Sequence, residues 1–405
     1  MAQAAATDSV AQPGKLPRAF PVILTAQLIT SIGFAFSTPF LPLFIAEIGG
    51  LDARSASFWT GIVSFCSGVV MLFAGPLWGT LADWFGYKKN ALRAAFCACL
   101  IVAGTGACQN ILQVAIVRAL MGGFTGVVPA NMGLIAAVVP RPRLAFAVGI
   151  SQGMSSLGFT LGPLLGGLAV GFLGYRWGFA FSGALIGVAG LLVLLGVRAP
   201  AQVRSNSPKS IGQFFKDVKI LLAAPGMKGA MLLVGMVQLI PNVVAPVTVF
   251  YLKSLGANVG PGTIGVYYTV AGLSTTGAAW GIGFLSTRFP LQRLMLLAAA
   301  IAMAGAAGMS FAPSIPMAML MGAVTGLGAG MLTAGGAAWA GSVAPQGQTG
   351  AAFGVVQSAN ALGFGVGPVI GGILASAISL RAPFAGQAAL ALVLAVVILR
   401  LRRKI

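Results

Sequence analysis

Residues 149–167, GISQGMSSLGFTLGPLLGG, and residues 354–372, GVVQSANALGFGVGPVIGG, carry nearly the same stretch twice. Gly149, Gln152, Leu157, Gly158, Phe159, Gly162, Pro163, Gly166 and Gly167 each recur 205 residues later, nine identities in nineteen positions. The offset is half of the 405-residue chain, which indicates duplication of a whole half-protein and not a local tandem array. Both copies are apolar enough to lie in lipid, where glycines let helix backbones approach closely. Pro163 and Pro368 cannot donate to the carbonyl four residues back, which predicts a kink near each Gly-Pro step.

Composition agrees with a membrane location. Hydrophobic residues make up 58% of the chain, charged residues only 7%, and the mean hydropathy is +0.96. A soluble globule of this size would lack the polar surface to cover itself. The 58 glycines lie within apolar runs, which suits close helix packing and not disorder. The net charge of +19 first suggests a nucleic-acid binder. The basic residues, however, fall in short gaps between apolar stretches, so a nucleic-acid partner is not expected. Cys66, Cys97, Cys99 and Cys108 all fall in expected spans and read as small buried hydrophobes, with neither metal nor disulfide chemistry implied. The apolar run over 20–46 exceeds a signal-peptide core and reads as a retained first helix.

At roughly 20 apolar residues per span, the sequence predicts twelve helices, near 20–46, 57–82, 91–109, 111–137, 145–171, 178–197, 229–252, 263–285, 292–311, 313–341, 350–376 and 382–400. The domain organisation expected is a tail (1–19), a six-helix half (20–197), a central linker with a short amphipathic helix (198–228), a second six-helix half (229–400) and a basic tail (401–405). Assigning Lys and Arg to alternate sides puts nineteen on one side and four on the other, with Arg118 left inside a helix. That asymmetry predicts cytoplasmic termini and a cytoplasmic central linker, and accounts for the excess charge without an acidic partner. The 205-residue offset also maps Gly123 on Gly328, Pro140 on Pro345, Arg176 on Arg381 and Phe179 on Phe384. Two parallel six-helix repeats with a site between them at mid-membrane make an alternating-access transporter the expected architecture.

Residues 75–90, GPLWGTLADWFGYKKN, join the second and third predicted helices. Gly79 suits a close helix approach, Gly86 a tight turn, and Asp83 with Lys88 and Lys89 a charge cluster at the membrane edge. The spacing of Gly79, Asp83, Gly86 and Lys88 resembles the signature of the loop between helices 2 and 3 of the major facilitator superfamily. The copy at 281–293 aligns with the offset shortened by one and keeps Gly283, but has Thr287 and Pro290 where the first has Asp83 and Gly86. Residues 149–167 are similar to the antiporter motif of that superfamily's drug:proton antiporters, carried by Gly149, Gly158, Gly162, Pro163, Gly166 and Gly167. The eleventh helix repeats the pattern, with Gly363, Gly367 and Pro368 at its centre. Arg118 with Gly122 resembles a further motif on the fourth helix, and PFLPLF (39–44) the end of the first. This resemblance implies an all-α fold of two six-helix repeats and multidrug efflux in exchange for protons. It also implies a latch that includes Asp83 and a coupling role for Arg118.

Each of these residues also has a plainer reading. The glycines act by packing helices, and function would follow from the packing. Lys88 and Lys89 are equally topology determinants. Arg118 differs, because a lone arginine at mid-helix costs about 2.5–3.5 kcal/mol on insertion scales, which makes a functional or paired role the default. The chain has five acidic residues, Asp8, Glu47, Asp52, Asp83 and Asp217, none expected at mid-membrane, and it has no histidine. Glu47 and Asp83 are therefore the candidate proton carriers.

Without a cavity carboxylate, neutral or anionic amphiphiles are favoured over cations. Gln27, Asn131, Gln238 and Asn242 are candidate cavity residues, with Trp280 and Trp339 as aromatic walls. Gln152, Gln357 and Asn360 could equally bond helix to helix. The chain has neither the paired carboxylates nor the HExxH pattern of an enzyme, and no cofactor is expected. The expected protein is a multi-pass carrier of small molecules in a bacterial inner membrane, a monomer exporting amphiphiles in exchange for protons. The alternative is a facilitator or exporter of an organic anion, sugar or other metabolite without proton coupling.

Overall fold

A computed structural model describes residues 16–17, 19–198, 227–343 and 349–401. The proposed linker helix and most of both tails lie outside these residues. Helix α1 (Ala19–Ser37) runs through a 3-10 turn (Thr38–Phe40) into α2 (Leu41–Gly49), with Pro39 and Pro42 at the second positions of the two new segments. Proline there removes only amides that would lack a helical acceptor anyway. Helices α3 (Ala53–Phe85), α4 (Tyr87–Thr105), α5 (Ile111–Phe124) and α6 (Val127–Val138) follow. Helix α7 (Arg141–Gly196) is broken at Gly174, whose φ of 76° a side chain would oppose. The helical backbone continues through Pro163, so the break in this helix lies eleven residues beyond the Gly-Pro step.

The second half repeats the plan. Helices α8 (Met227–Val243) and α9 (Thr248–Ser254) correspond to α1 and α2. They are followed by α10 (Pro261–Leu285), α11 (Leu291–Ser310), α12 (Ile315–Val343), α13 (Thr349–Ala377) and α14 (Ala382–Leu401). Pairings repeat as well: α1 packs on α7 as α8 packs on α13, and α3 on α5 as α10 on α12. The fold is all-helical among the described residues.

Nine helices or joined helix pairs among these residues are long and apolar enough to cross a membrane, with Pro142–Gly196 counted once. Many of the large apolar side chains point outward, including Leu100, Leu112, Phe172 and Phe284, as lipid contact requires.

Each half has a core of its own. One is built around Phe20, Ile23, Leu134 and Ile186, the other around Leu233, Met295, Leu332 and Leu394. A third cluster joins the halves, setting Phe40, Leu43 and Val170 against Tyr251, Ile264 and Tyr267. These residues lie at the end of the molecule that carries the α2–α3 and α9–α10 turns, hereafter the closed end.

Candidate functional site

Within each half the duplicated glycines fix one helix against another. A Cβ on Gly158 would lie 2.6 Å from Ser31 Cβ and 2.8 Å from the Leu28 carbonyl, and one on Gly162 2.5 Å from Ala35 Cβ. On Gly363 it would lie 2.7 Å from the Gly235 carbonyl, and on Gly367 2.8 Å from Asn242 Cβ. Gly166 and Gly371 sit directly against the carbonyls of Phe36 and Val243. The first copy thus clasps α1 and the second clasps α8, position for position. The final glycine of each copy turns to the other half. Gly167 meets Pro261 and Gly265 of α10, and Gly372 meets Ser57 and Phe58 of α3.

These contacts between halves loosen away from the closed end. Along α7 and α10, Gly265 abuts Pro163 and Leu164, Thr269 Oγ1 donates to the Thr160 carbonyl at 3.1 Å, and the Thr160 and Thr276 hydroxyls are 3.3 Å apart. One to two turns on, a Cβ at Gly153 would find only Trp280 at 4.0 Å, and Gly149 and Gly283 face empty space. Gly149, first residue of the motif, therefore takes no part in this packing. Trp280 is 67% exposed. Helices α7 and α10 thus splay toward this end, the open end, while α3 and α13 stay in contact as far as Gly68 with Ala361 and Gly365.

Polar side chains are distributed unequally. In the first half Asn131 Nδ2 donates to Gln27 Oε1 at 2.8 Å, and Gln27 Nε2 donates to Ser155 Oγ at 2.7 Å, tying α1, α6 and α7 together in full burial. Both amides are thus engaged between helices. A second link runs from Ser182, which bonds the Gly33 carbonyl and the Ser37 hydroxyl. In the second half Asn242 Nδ2 turns back to the Gln238 carbonyl at 2.7 Å, and both residues are half-buried. Trp339 is in the second core and engaged there. Asn360 is half-buried and also engaged, Gln152 is exposed, and the Gln357 side chain lies outside the described residues.

At the open end, Gly86 with φ 92° turns α3 into α4. Lys88 Nζ donates to the Leu194 carbonyl in the last turn of α7 at 2.9 Å, where a cation opposes the helix dipole. Lys89 is exposed, and the Asp83 side chain lies outside the described residues.

Sequence reasoning missed the strongest contact of this corner. Arg93 stacks on Trp78 with its guanidinium carbon 3.4 Å from the ring centre, and Nη1 donates to the Phe124 carbonyl at 2.6 Å. Trp78 Nε1 meanwhile donates to the Gly123 carbonyl at 2.6 Å. The two residues lie eight before and seven after Gly86, so a helix hairpin turning there brings them level. That spacing was the available signal.

Arg118 is 9% exposed on α5, and Gly122, one turn on, packs against Ser67 of α3. Glu47 is exposed and lines a cavity of about 380 Å³ at the closed end with Tyr175, Arg176 and Trp177. Arg118 does not line that cavity, though Arg176, which does, donates to the carbonyl of Cys108, the neighbour of Arg118.

Two helical halves joined at one end, with lipid-facing apolar side chains, define a multi-pass membrane carrier. The family model of the Major Facilitator Superfamily matches residues 23–318 and 258–404, and the chain belongs to that family of transporters, which are not enzymes. Among similar proteins, the "Multidrug resistance protein MdtG" of Escherichia fergusonii is 30% identical over 273 residues, 67% of this chain and 66% of that protein. The "Multi-drug resistance efflux pump PmrA homolog" of Lactococcus lactis subsp. lactis is 25% identical over 362 residues, 88% of each chain. Among solved structures, a bacterial homologue of the human lysosomal transporter Spinster, inward-facing and occupied, superposes with a TM-score of 0.76 over 97% of this chain and 98% of that one, at 16% identity.

Proposed function

We propose that this transporter exports small amphiphilic compounds across a bacterial inner membrane by alternating access, in exchange for protons. The observation that carries the reading is the glycine seam. Each duplicated helix clasps its own half and meets the other half from the closed end to mid-helix, Gly167 to Thr160 on α10 and Gly372 to Ala361 on α3. Helices α7 and α10 part beyond that, so two bodies can rock about this shared seam. Twelve spans follow if α7 counts as two at Gly174, and if α4 and α10, less apolar than the others, cross the bilayer lined by their neighbours. The halves are then 20–197 and 229–400, joined by 198–228. With nineteen basic residues on its side, the open end faces the cytoplasm. The similarity to multidrug exporters supports the substrate class.

In this reading Asp83, Gly79, Gly86, Lys88 and Lys89 form the cytoplasmic gate, and Glu47, Asp83 and Arg118 take part in coupling. Gln238 and Asn242, half-buried on α8, are the preferred cavity residues; the protein acts as a monomer in lipid. A second reading, transport without proton coupling, is favoured by one observation. Glu47 is at the closed end, and Asp83 is near the end of α3, so no carboxylate among the described residues lies at mid-membrane. Dye export from proteoliposomes under an imposed pH gradient separates the two. Export driven by the gradient and lost in Asp83→Asn or Glu47→Gln supports exchange. Counterflow indifferent to the gradient sinks it.

A further inference from the structure

Arg118 is a buried cation without a counter-charge among the described residues. Its guanidinium carries five N–H donors, yet among the described residues its one hydrogen bond runs from Nη1 to the thioether of Met121 at 3.3 Å, a weak acceptor, and Nε is left without a partner. No carboxylate among the described residues answers it. Asp83 lies sixteen residues beyond Ser67 along α3, about 24 Å at the helical rise, whereas Gly122, one turn from Arg118, rests on Ser67 itself. Asp52 is engaged in capping α3, and Glu47 lines the outer cavity. The neighbouring ionisable group is the Cys108 thiol, which donates to the Gly104 carbonyl at 3.5 Å. The corresponding position in the second half, Ala323 at the 205-residue offset, carries no charge, so packing of the repeat does not require an arginine here. A buried charge left unpaired is costly, and such residues in membrane proteins mark ion or substrate positions.

We propose that Arg118 is the seat of a monovalent anion, supplied either by the acidic head of a transported amphiphile or by a free inorganic anion such as chloride. This rests on the transporter reading and adds a recognition residue to it. A planar guanidinium suits a carboxylate or sulfonate through two parallel hydrogen bonds, which uses the unpartnered Nε. Neutral compounds would gain nothing from this residue.

The test uses the full-length protein in nanodiscs, titrated with anilinonaphthalenesulfonate and with its neutral relative N-phenylnaphthylamine, against empty nanodiscs. Wild type is expected to bind the sulfonate tighter by roughly tenfold or more, Arg118→Gln to lose that preference, and Arg118→Lys to keep part of it. Thermal melts accompany each titration. If Arg118→Gln does not fold, the lysine variant still reads the site, because it keeps the charge and loses the second parallel bond. Equal affinities in wild type, or a preference that survives in Arg118→Gln, overturns the proposal. Chloride added at constant ionic strength distinguishes the sources. Competition with the sulfonate assigns the site to a free anion, and indifference assigns it to the amphiphile's head. If the preference holds but neither dye is exported, the site stands and the export reading falls; export with equal affinities gives the reverse.

Discussion

The two halves of this transporter share a backbone plan but not a chemistry, and the difference is concentrated at matched positions. Gln27 and Asn131 of the first half bond to each other where the second half places Val234 beside Gly336. Trp78 corresponds to Ile282, a buried member of the second core, so the stacked Arg93 corner has an apolar counterpart. All four buried side-chain atoms without a partner among the described residues, on Thr30, Ser31, Arg118 and Ser151, belong to the first half. What the halves do share is the set of glycine contacts that clasp α1 and α8. Duplication has kept the positions where backbone meets backbone, because no side chain fits there. Positions where side chains fill space were free to diverge, and one half became polar.

If the clasp is equivalent in both halves, Gly166→Leu and Gly371→Leu should be equally damaging, each costing about 3 kcal/mol or more through overpacking. Size-exclusion profiles and melting temperatures would show loss of folded protein in both, while Gly149→Leu, facing empty space, folds normally. Collapse of one variant alone would break the equivalence.

The polar pair gives the next effect. Gln27→Val should destabilise by about 1 kcal/mol, since it strands the Asn131 amide and leaves the Ser155 hydroxyl only its bond to the Ser151 carbonyl. Adding Asn131→Gly recreates the second-half arrangement, and the double variant should lose less than the sum of the single ones. Additive losses would mean that the two amides do not interact.

Removing the stack by Trp78→Leu should cost up to about 1 kcal/mol, with a lower melting temperature and easier proteolysis at the α3–α4 turn. Unchanged proteolysis would deny this corner a structural role.

The smallest effect concerns helix starts. Asp52 caps α3 through the Ser55 and Arg54 amides, and hydrogen bonds from those residues hold its carboxyl below the ordinary value of 3.8. Because the folded value is lowered, the stabilisation is complete above that ordinary value and is lost as pH falls through the folded one. Asp52→Ala should therefore melt slightly below wild type at neutral pH and level with it in strong acid. Its counterpart Gly260 starts α10 with no side-chain cap and an unobstructed φ of −83°. Gly260→Ser should raise the melting temperature by the few tenths of a kcal/mol such a cap supplies. A deficit for Asp52→Ala that persists in acid would refute the capping account.

Much of the fold was legible in advance because lipid imposes simple rules. The apolar run at 292–311 became α11 at Leu291–Ser310, and that at 263–285 became α10 at Pro261–Leu285. The break at Gly174 falls in the gap expected between the spans at 145–171 and 178–197, and helical dihedrals run unbroken through Pro163. One expectation did not transfer to structure in the same way. Gln27 and Asn131, candidate cavity residues by sequence, meet each other in full burial. Hydropathy reports that a residue faces something other than lipid, and it cannot say whether that is a cavity or a neighbouring helix.

The sequence by itself determined the duplication, the membrane class, the helix positions and the lack of histidine. These follow from composition and from periodicity over short windows, where each residue's environment is set by its near neighbours. Tertiary structure decided which helix each glycine clasps, which end joins the halves, the Asn131–Gln27–Ser155 chain and the surroundings of Arg118. Those depend on residues far apart in the chain, 104 positions for Asn131 with Gln27 and 128 for Gln27 with Ser155. Such pairings are fixed only when all helices pack at once, since a helix face that is small or polar has many sterically acceptable partners until the others are in place.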